Sequence, residues 1–209
     1  MDPSSNPIIA GKPPHPLLII ISGPSGVGKD SVLMRMRELG FPFHFVVTMN
    51  SRPPRSGEIP GVDYHFVTNQ QFEAMIEQGE MLEWARVYNQ YKGVPKFEVR
   101  QALQSGRDVV MRVNVDGALT IKGLAPEAVM IYIAPGSSDE LRHRLRVRGT
   151  ETEHEIVTRL TEAEVEQQYI KHFDYVVINR ENQLDTTVGT IRAIITAEKH
   201  RVFARHLSL

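Results

Sequence analysis

The sequence predicts an α/β protein built on a mainly parallel sheet, and three observations carry that reading. Short, unbroken apolar runs rich in β-favouring residues recur along the chain; amphipathic helical stripes lie between them; and a glycine loop joins the first run to the first stripe. Strands buried on both faces read as continuous apolar runs, and strands alternating with helices form parallel crossover units. With 209 residues, 41% of them hydrophobic, the chain can bury a large core and carry inserted parts on it.

Taken in order, LLIIIS (Leu17–Ser22) is the first buried strand, and it runs into GPSGVGKDS. SVLMRMREL (Ser31–Leu39) sets Val32, Met36 and Leu39 on one helical stripe, and Gly40 closes that helix. FHFVVT (Phe43–Thr48) reads as a second strand. The texture then changes: Ser51–Val67 is dense in proline, glycine and charge, and ends in a short strand. Thr68 and Gln71 are spaced as a capping box for a helix carrying Phe72, Met75 and Ile76. Met81–Tyr88 is a strand, and Pro95 opens a helix that Gly106 stops. Asp108–Val115 and Ala128–Ala134 are core strands around a short helix. Asp139–Val147 and Glu153–Lys171 are charged helices, Asp174–Asn179 a last strand, and Thr186–His206 a closing helix bearing Val188, Ile191, Ile195, Val202 and Phe203.

Composition removes several functions. A net charge of −1 argues against a general nucleic-acid binder, so basic clusters point to smaller anions. No cysteine is present, which excludes disulfides and thiolate metal sites, and the eight histidines have no zinc-ligand spacing. The longest apolar run is too short to span a bilayer. Residues 1–16 lack the basic start and apolar stretch of a signal peptide and also lack arginine, so they read as a flexible tail on a cytoplasmic protein.

GPSGVGKDS matches the phosphate-binding pattern G-x-x-x-x-G-K up to Lys29, and a strand precedes it and a helix follows. Backbone N–H groups at that helix start make a concave anion site, and Lys29 adds a point charge. A glycine turn with a surface lysine is the bland alternative. Asp30 stands where a hydroxyl is expected; it favours the helix dipole, and it is also a hard-oxygen ligand suited to Mg²⁺, directly or through water. Further on, Arg52 and Arg55 in SRPPRSGE are held apart by two prolines, so both guanidiniums can converge on one phosphate, with the Tyr64 hydroxyl nearby. Glu83, on a strand beside apolar residues, suits the N–H pair of a guanine edge. Taken alone, the arginine pair reads equally well as a solvated loop.

The order of GPSGVGK, SRPPRSGEIPGVDYHFV, LEWA, the strand ending in DGA, RLRVRGTE…TRL and DYVVIN resembles the guanylate kinases, over residues 17–203. GKD and the YKGVP element are similar to the plastid-type and some bacterial members. The resemblance implies the P-loop nucleoside-monophosphate kinase fold: a core (17–47, 93–140 and 168–209), a GMP-binding insert (48–92) and a helical lid (141–167). It implies transfer of a phosphoryl group from ATP to GMP, and to dGMP, with Mg²⁺. It places ATP on Gly23, Pro24, Ser25, Gly26, Val27, Gly28, Lys29, Asp30 and Ser31, with Asn179 near the adenine. It places GMP on Thr48, Arg52, Arg55, Tyr64, Glu83, Lys92 and Asn114. Lys29, Arg144, Arg148 and Arg159 become the catalytic cations, and Asp30 a metal ligand. ATP and GMP are the expected partners, with no nucleic acid or membrane, in a monomer or homodimer. Asn114 departs from the acidic residue usual there, and Val94 from a hydroxyl. Two other readings stay open: a binding module without turnover, and a P-loop kinase acting on another phosphorylated acceptor.

Overall fold

The computed structural model describes residues 15–62, 64–87, 89–149, 152–205 and 207. Most of the expected N-terminal tail (residues 1–14), together with Asp63, Tyr88, Thr150 and His206, lies outside them.

The main sheet has five strands in the order β2-β7-β1-β8-β9, all parallel. They are β1 (Leu18–Ser22), β2 (His44–Phe45), β7 (Val109–Arg112), β8 (Val129–Pro135) and β9 (Tyr175–Asn179). Alternation along β1 divides the core in two. Ile19 and Ile21 face α1 (Lys29–Glu38) and α7 (Leu184–Lys199), joining Val32, Met36, Val188, Ile191 and Ile195. Leu18 and Ile20 face α3 (Lys96–Gln104) and α4 (Val115–Leu124), joining Val99, Ala118 and Ile121. A strand with both faces covered can be apolar at every position, which is why LLIIIS shows no alternation in the sequence.

A second sheet, ordered β4-β3-β6-β5, is built from β3 (Met49–Asn50), β4 (His65–Phe66), β5 (Met81–Val87) and β6 (Gln90–Pro95). It packs Phe72 of α2 (Asn69–Glu77) against Met49, Met81 and Tyr91. The capping box at Thr68 and Gln71 is formed as expected. The strands β3 and β6 were not anticipated: β3 is two residues long, and β6 is interrupted by Gly93, where an added Cβ would fall 2.3 Å from Glu83 O. β6 is instead identified by its antiparallel ladder with β5, which was expected at Met81–Tyr88.

Two further helices, α5 (Ser138–Arg148) and α6 (Glu153–Gln167), share a small core of Leu141, Leu145, Ile156, Leu160 and Ala163. Several boundaries differ from expectation, and β2 keeps only His44–Phe45 of the expected strand Phe43–Thr48. β7 stops at Arg112, because Asn114 caps the next helix. α6 ends at Gln167, before a 3₁₀ turn over Ile170–His172. α7 ends at Lys199, leaving Val202 and Phe203 outside it and 92% and 84% exposed.

Candidate active site

The loop between β1 and α1 turns through three glycines with positive φ. At Gly28 (φ 99°) an added Cβ would lie 2.6 Å from Asn179 Nδ2, and at Gly26 (φ 83°) 2.6 Å from Leu145 Cδ2, so side chains are excluded by strain and by space. The loop is therefore wedged between β9 beneath it and α5 above it. Lys29 folds back on the loop, its ammonium donating to the carbonyl of Gly23 and to Pro24 O at 2.9 Å. Burial lowers its pKa to about 8; the Glu166 carboxylate opposes that shift, Arg112 adds to it and Asp30 opposes it.

Side chains from distant parts of the chain fix this loop. Asn179 is 5% exposed; its amide donates to Val27 O at 2.8 Å, and its Oδ1 accepts from the Thr187 hydroxyl at 3.0 Å. Both ends of that amide are committed beneath the loop. Arg144 donates to Val27 O (2.9 Å) and Asn179 O (2.7 Å) and is held by Glu140 at 2.8 Å. Arg159 donates to Ser25 Oγ at 2.7 Å. Two of the three expected catalytic arginines thus grip the loop, while Arg148 stands exposed at the end of α5. Pro24, Ser25 and Gly28 lie in the loop; Asp30 and Ser31 are exposed in the first turn of α1. The Asp30 carboxylate pairs with the Arg112 guanidinium at the end of β7, which neutralises the negative charge at the usual hydroxyl position.

The second cluster forms on the small sheet. Asn50, Arg52, Arg55, Tyr64, Tyr91 and Lys92 surround a cavity of about 360 Å³. Arg52 lies 5.3 Å from the Tyr64 ring centre and Lys92 Nζ 5.6 Å from it, so two cations are drawn to one aromatic ring. Arg52 is held by Glu58, whose carboxylate accepts from both of its terminal nitrogens at 2.6 and 2.7 Å. Glu58 also accepts from the Arg55 backbone N–H at 2.7 Å. Arg52, followed by Arg55, holds the Glu58 carboxyl down at about 2.

Glu83 and Asn114 meet where the small sheet approaches α4: an added Cβ on Gly117 would lie 2.9 Å from Asn114 Oδ1 and 3.0 Å from Glu83 Cγ. Burial raises the Glu83 pKa, and Lys92 opposes the rise. Asn114 Oδ1 already accepts from Gly117 N–H at 3.0 Å as the N-cap of α4, so its free group is the amide NH₂. Thr48 lies between β2 and β3, half-buried, its carbonyl accepting from His65 N–H. Val94 is 1% exposed, in the core behind the sheet, which explains why it carries no hydroxyl.

Sequence reasoning missed Arg112, Glu58, Glu140 and Thr187 as members of these sites. A signal existed for Glu58, six residues after Arg52 in a glycine turn. Arg112 could be found only through register, since it sits opposite Ile21 at the mouth of the loop.

Among the described residues no three His, Cys, Asp or Glu side chains converge as a metal cage. A Mg²⁺ ion held by one carboxylate, substrate phosphates and water needs no such cage, and the exposed Asp30 fits that donor set.

A guanylate kinase family model matches residues 15–198. The chain is 43% identical to guanylate kinase 2, chloroplastic/mitochondrial, of Oryza sativa subsp. japonica, over 99% of this chain and 72% of that protein. It is 45% identical to the guanylate kinase of Caldanaerobacter subterraneus subsp. tengcongensis, over 89% of each. The crystal structure of guanylate kinase from Anaplasma phagocytophilum superposes with a TM-score of 0.66 at 26% identity, over 90% of this chain and 89% of that one.

Proposed function

The chain belongs to the guanylate kinase family, and from that premise we propose an assignment of its residues to two substrates. The reaction is ATP-dependent phosphorylation of GMP to GDP. In this reading the loop Gly23–Ser31 and Lys29 hold the ATP phosphates, and Arg52, Arg55, Tyr64 and Lys92 hold the phosphate of GMP. Glu83 takes the guanine N–H pair, with Thr48 and the Asn114 amide beside it. dGMP is a second acceptor, because phosphate and base carry these contacts.

The observation that carries the assignment is the pair of cationic sites: a braced glycine loop, and a separate cavity lined by Arg52, Arg55, Lys92 and Tyr64. They are connected through Glu83, Gly117 and β7, the strand that pairs with β1. Phosphoryl transfer requires mainly positioning and charge stabilisation, and the acceptor phosphate is already ionised, so no strong base is needed. Residues 48–92 act as the GMP-binding part and residues 141–167 as the lid on a core formed by the rest. Arg144 and Arg159, now bound to the loop, and Arg148 stabilise charge on the transferred group and help exclude water. Asp30 would help to hold a Mg²⁺ ion, which when bound would supply neutralisation of phosphate charge. Asn179 acts from below as the brace of the loop, and among the described residues no helix is long and apolar enough to cross a membrane.

A coupled assay over GMP, dGMP, AMP and UMP tests this: turnover is expected with GMP and dGMP alone. Comparable turnover with AMP or UMP would refute the role of Glu83.

A further inference from the structure

Glu98 is a buried acid that the assignment above leaves unused. It is 7% exposed and lies in the first turn of α3, where the helix dipole favours an acid. The dipole accounts for the charge but not for its partners. Each carboxylate oxygen accepts from a histidine ring, Oε1 from His44 Nε2 at 2.7 Å and Oε2 from His65 Nε2 at 3.0 Å. Oε1 also accepts from Val47 N–H at 3.3 Å. Burial pushes the Glu98 pKa up, but the His65 and His44 rings and the Val47 N–H outweigh it and hold the carboxyl below its ordinary value.

The three donors belong to different parts of the molecule. His44 is on β2 of the main sheet, His65 on β4 of the small sheet, and Val47 in the connection that runs from β2 to β3. One carboxylate therefore ties the core, the crossing chain and the small sheet together. β4 is one edge of that sheet; at the other edge, β5 brings Glu83 against Gly117 of α4. The small sheet is thus fastened to the core at both edges, and at the β4 edge His65 supplies the polar tie. Its ring also lies 5.4 Å from that of Phe97 on α3, and its backbone N–H donates to Thr48 O at 2.9 Å.

Successive side chains of a strand face opposite ways. On one side of β4, His65 meets α3; on the other, the rings of Tyr64 and Phe66 lie 5.7 Å apart with the Arg52 guanidinium over both. Displacing His65 therefore displaces the Tyr64 wall of the arginine cavity. We propose that Glu98 is a positioning residue: its carboxylate, shared between His44 of the core and His65 of the small sheet, sets the angle at which that sheet stands on the core, and so where Tyr64 and Arg52 present the acceptor phosphate. The inference rests on the reading of the arginine cavity as the acceptor-phosphate site.

The test reads steady-state kinetics beside a distance, on the full chain. The sequence has no cysteine, so Glu77→Cys on α2 and Gln104→Cys on α3, both exposed, carry one pair of spin labels across the joint. His65→Leu is expected to raise the GMP KM by about tenfold, the scale of one charge-assisted hydrogen bond. It should leave the ATP KM near its parent value and broaden the label distance measured without nucleotide. His65→Gln, which keeps an N–H donor, should recover most of both effects. In a Glu98→Gln background, His65→Leu should cause little further rise in GMP KM, because the shared carboxylate is already gone. His200→Leu, exposed at the end of α7, should match the parent. An unchanged label distance in His65→Leu overturns the proposal, and so does an unchanged GMP KM or an equal rise in both KM values. If Glu98→Gln melts early, the His65→Leu and His65→Gln pair decides, since it leaves the carboxylate in place. If Arg55→Ala leaves the GMP KM unchanged, the acceptor-site reading itself fails, and this proposal with it.

Discussion

The two anion sites are built on opposite terms. The glycine loop is braced from β9, α5 and α6 by Asn179, Arg144 and Arg159, residues more than a hundred positions away in the chain. The arginine cavity is ordered locally: Glu58 holds Arg52 and the backbone of Arg55, and all three fall within seven residues. Tertiary bracing pre-organises the glycine loop before any ligand arrives, which reduces the ordering cost of binding. Local bracing leaves the arginine cavity free to move with the small sheet that carries it. The contrast suits an enzyme that must hold one phosphate chain still and bring a second substrate to it.

The strongest way to break this contrast is to remove the donor cation. Lys29→Met should lower kcat by roughly 10²–10³-fold, the scale found when a preorganised transition-state donor is lost, with GMP binding retained. A variant with near-parent kcat would show that the loop binds without catalysing. Arg55→Ala should raise the GMP KM by about ten- to a hundred-fold, as expected for a charge-assisted phosphate contact, and leave the ATP KM near its parent value. Equal losses for both substrates would dissolve the distinction between the sites.

Asn179→Ala sharpens the comparison, since it strips the loop of a brace without touching its charge. Loss of this buried amide leaves Val27 O with Arg144 as its side-chain donor and shifts the Thr187 hydroxyl to Gln183 O, and should cost about 1–3 kcal/mol of stability, seen as an earlier melt. The ATP KM should rise with it. Asp30→Ser should keep activity within several-fold and shift the Mg²⁺ titration; an unchanged titration would leave Asp30 as the partner of Arg112 alone.

The smallest effect concerns pH. Arg52, then Arg55, lowers the Glu58 carboxyl from 4.5 to about 2, so its pairing is complete above about pH 4.5 and is lost only as pH falls towards 2. Glu58→Gln should raise the GMP KM a few-fold, and the ratio of variant to parent KM should stay constant between pH 6 and 8. A ratio that changes across that window would place another titrating group between Glu58 and Arg52.

What could be read before folding follows one physical division. The strands Leu17–Ser22 and Ala128–Ala134, the cap at Thr68 and Gln71 and the glycine loop are all marked by patterns within a few residues, and the structure reproduces them closely. Local spacing also brought Arg52, Arg55 and Tyr64 to one cavity. Elements defined by a partner strand were hidden: β3 and β6 have weak patterns of their own and exist through their ladder. Val202 and Phe203 show the converse, a helical spacing that continues past the point where the helix stops.

The sequence by itself determined the parallel core, the loop with its lysine and the cations of the acceptor cavity, because backbone conformation, burial period and charge type are properties of short segments. Only the tertiary structure decided that Arg112 neutralises Asp30, that Asn179 lies beneath Gly28 with both ends of its amide engaged, and that Asn114 spends its oxygen on a helix cap. These are pairings between chain-distant residues. Strand register and helix docking bring them together, and no local pattern records which of the available charges and amides will meet.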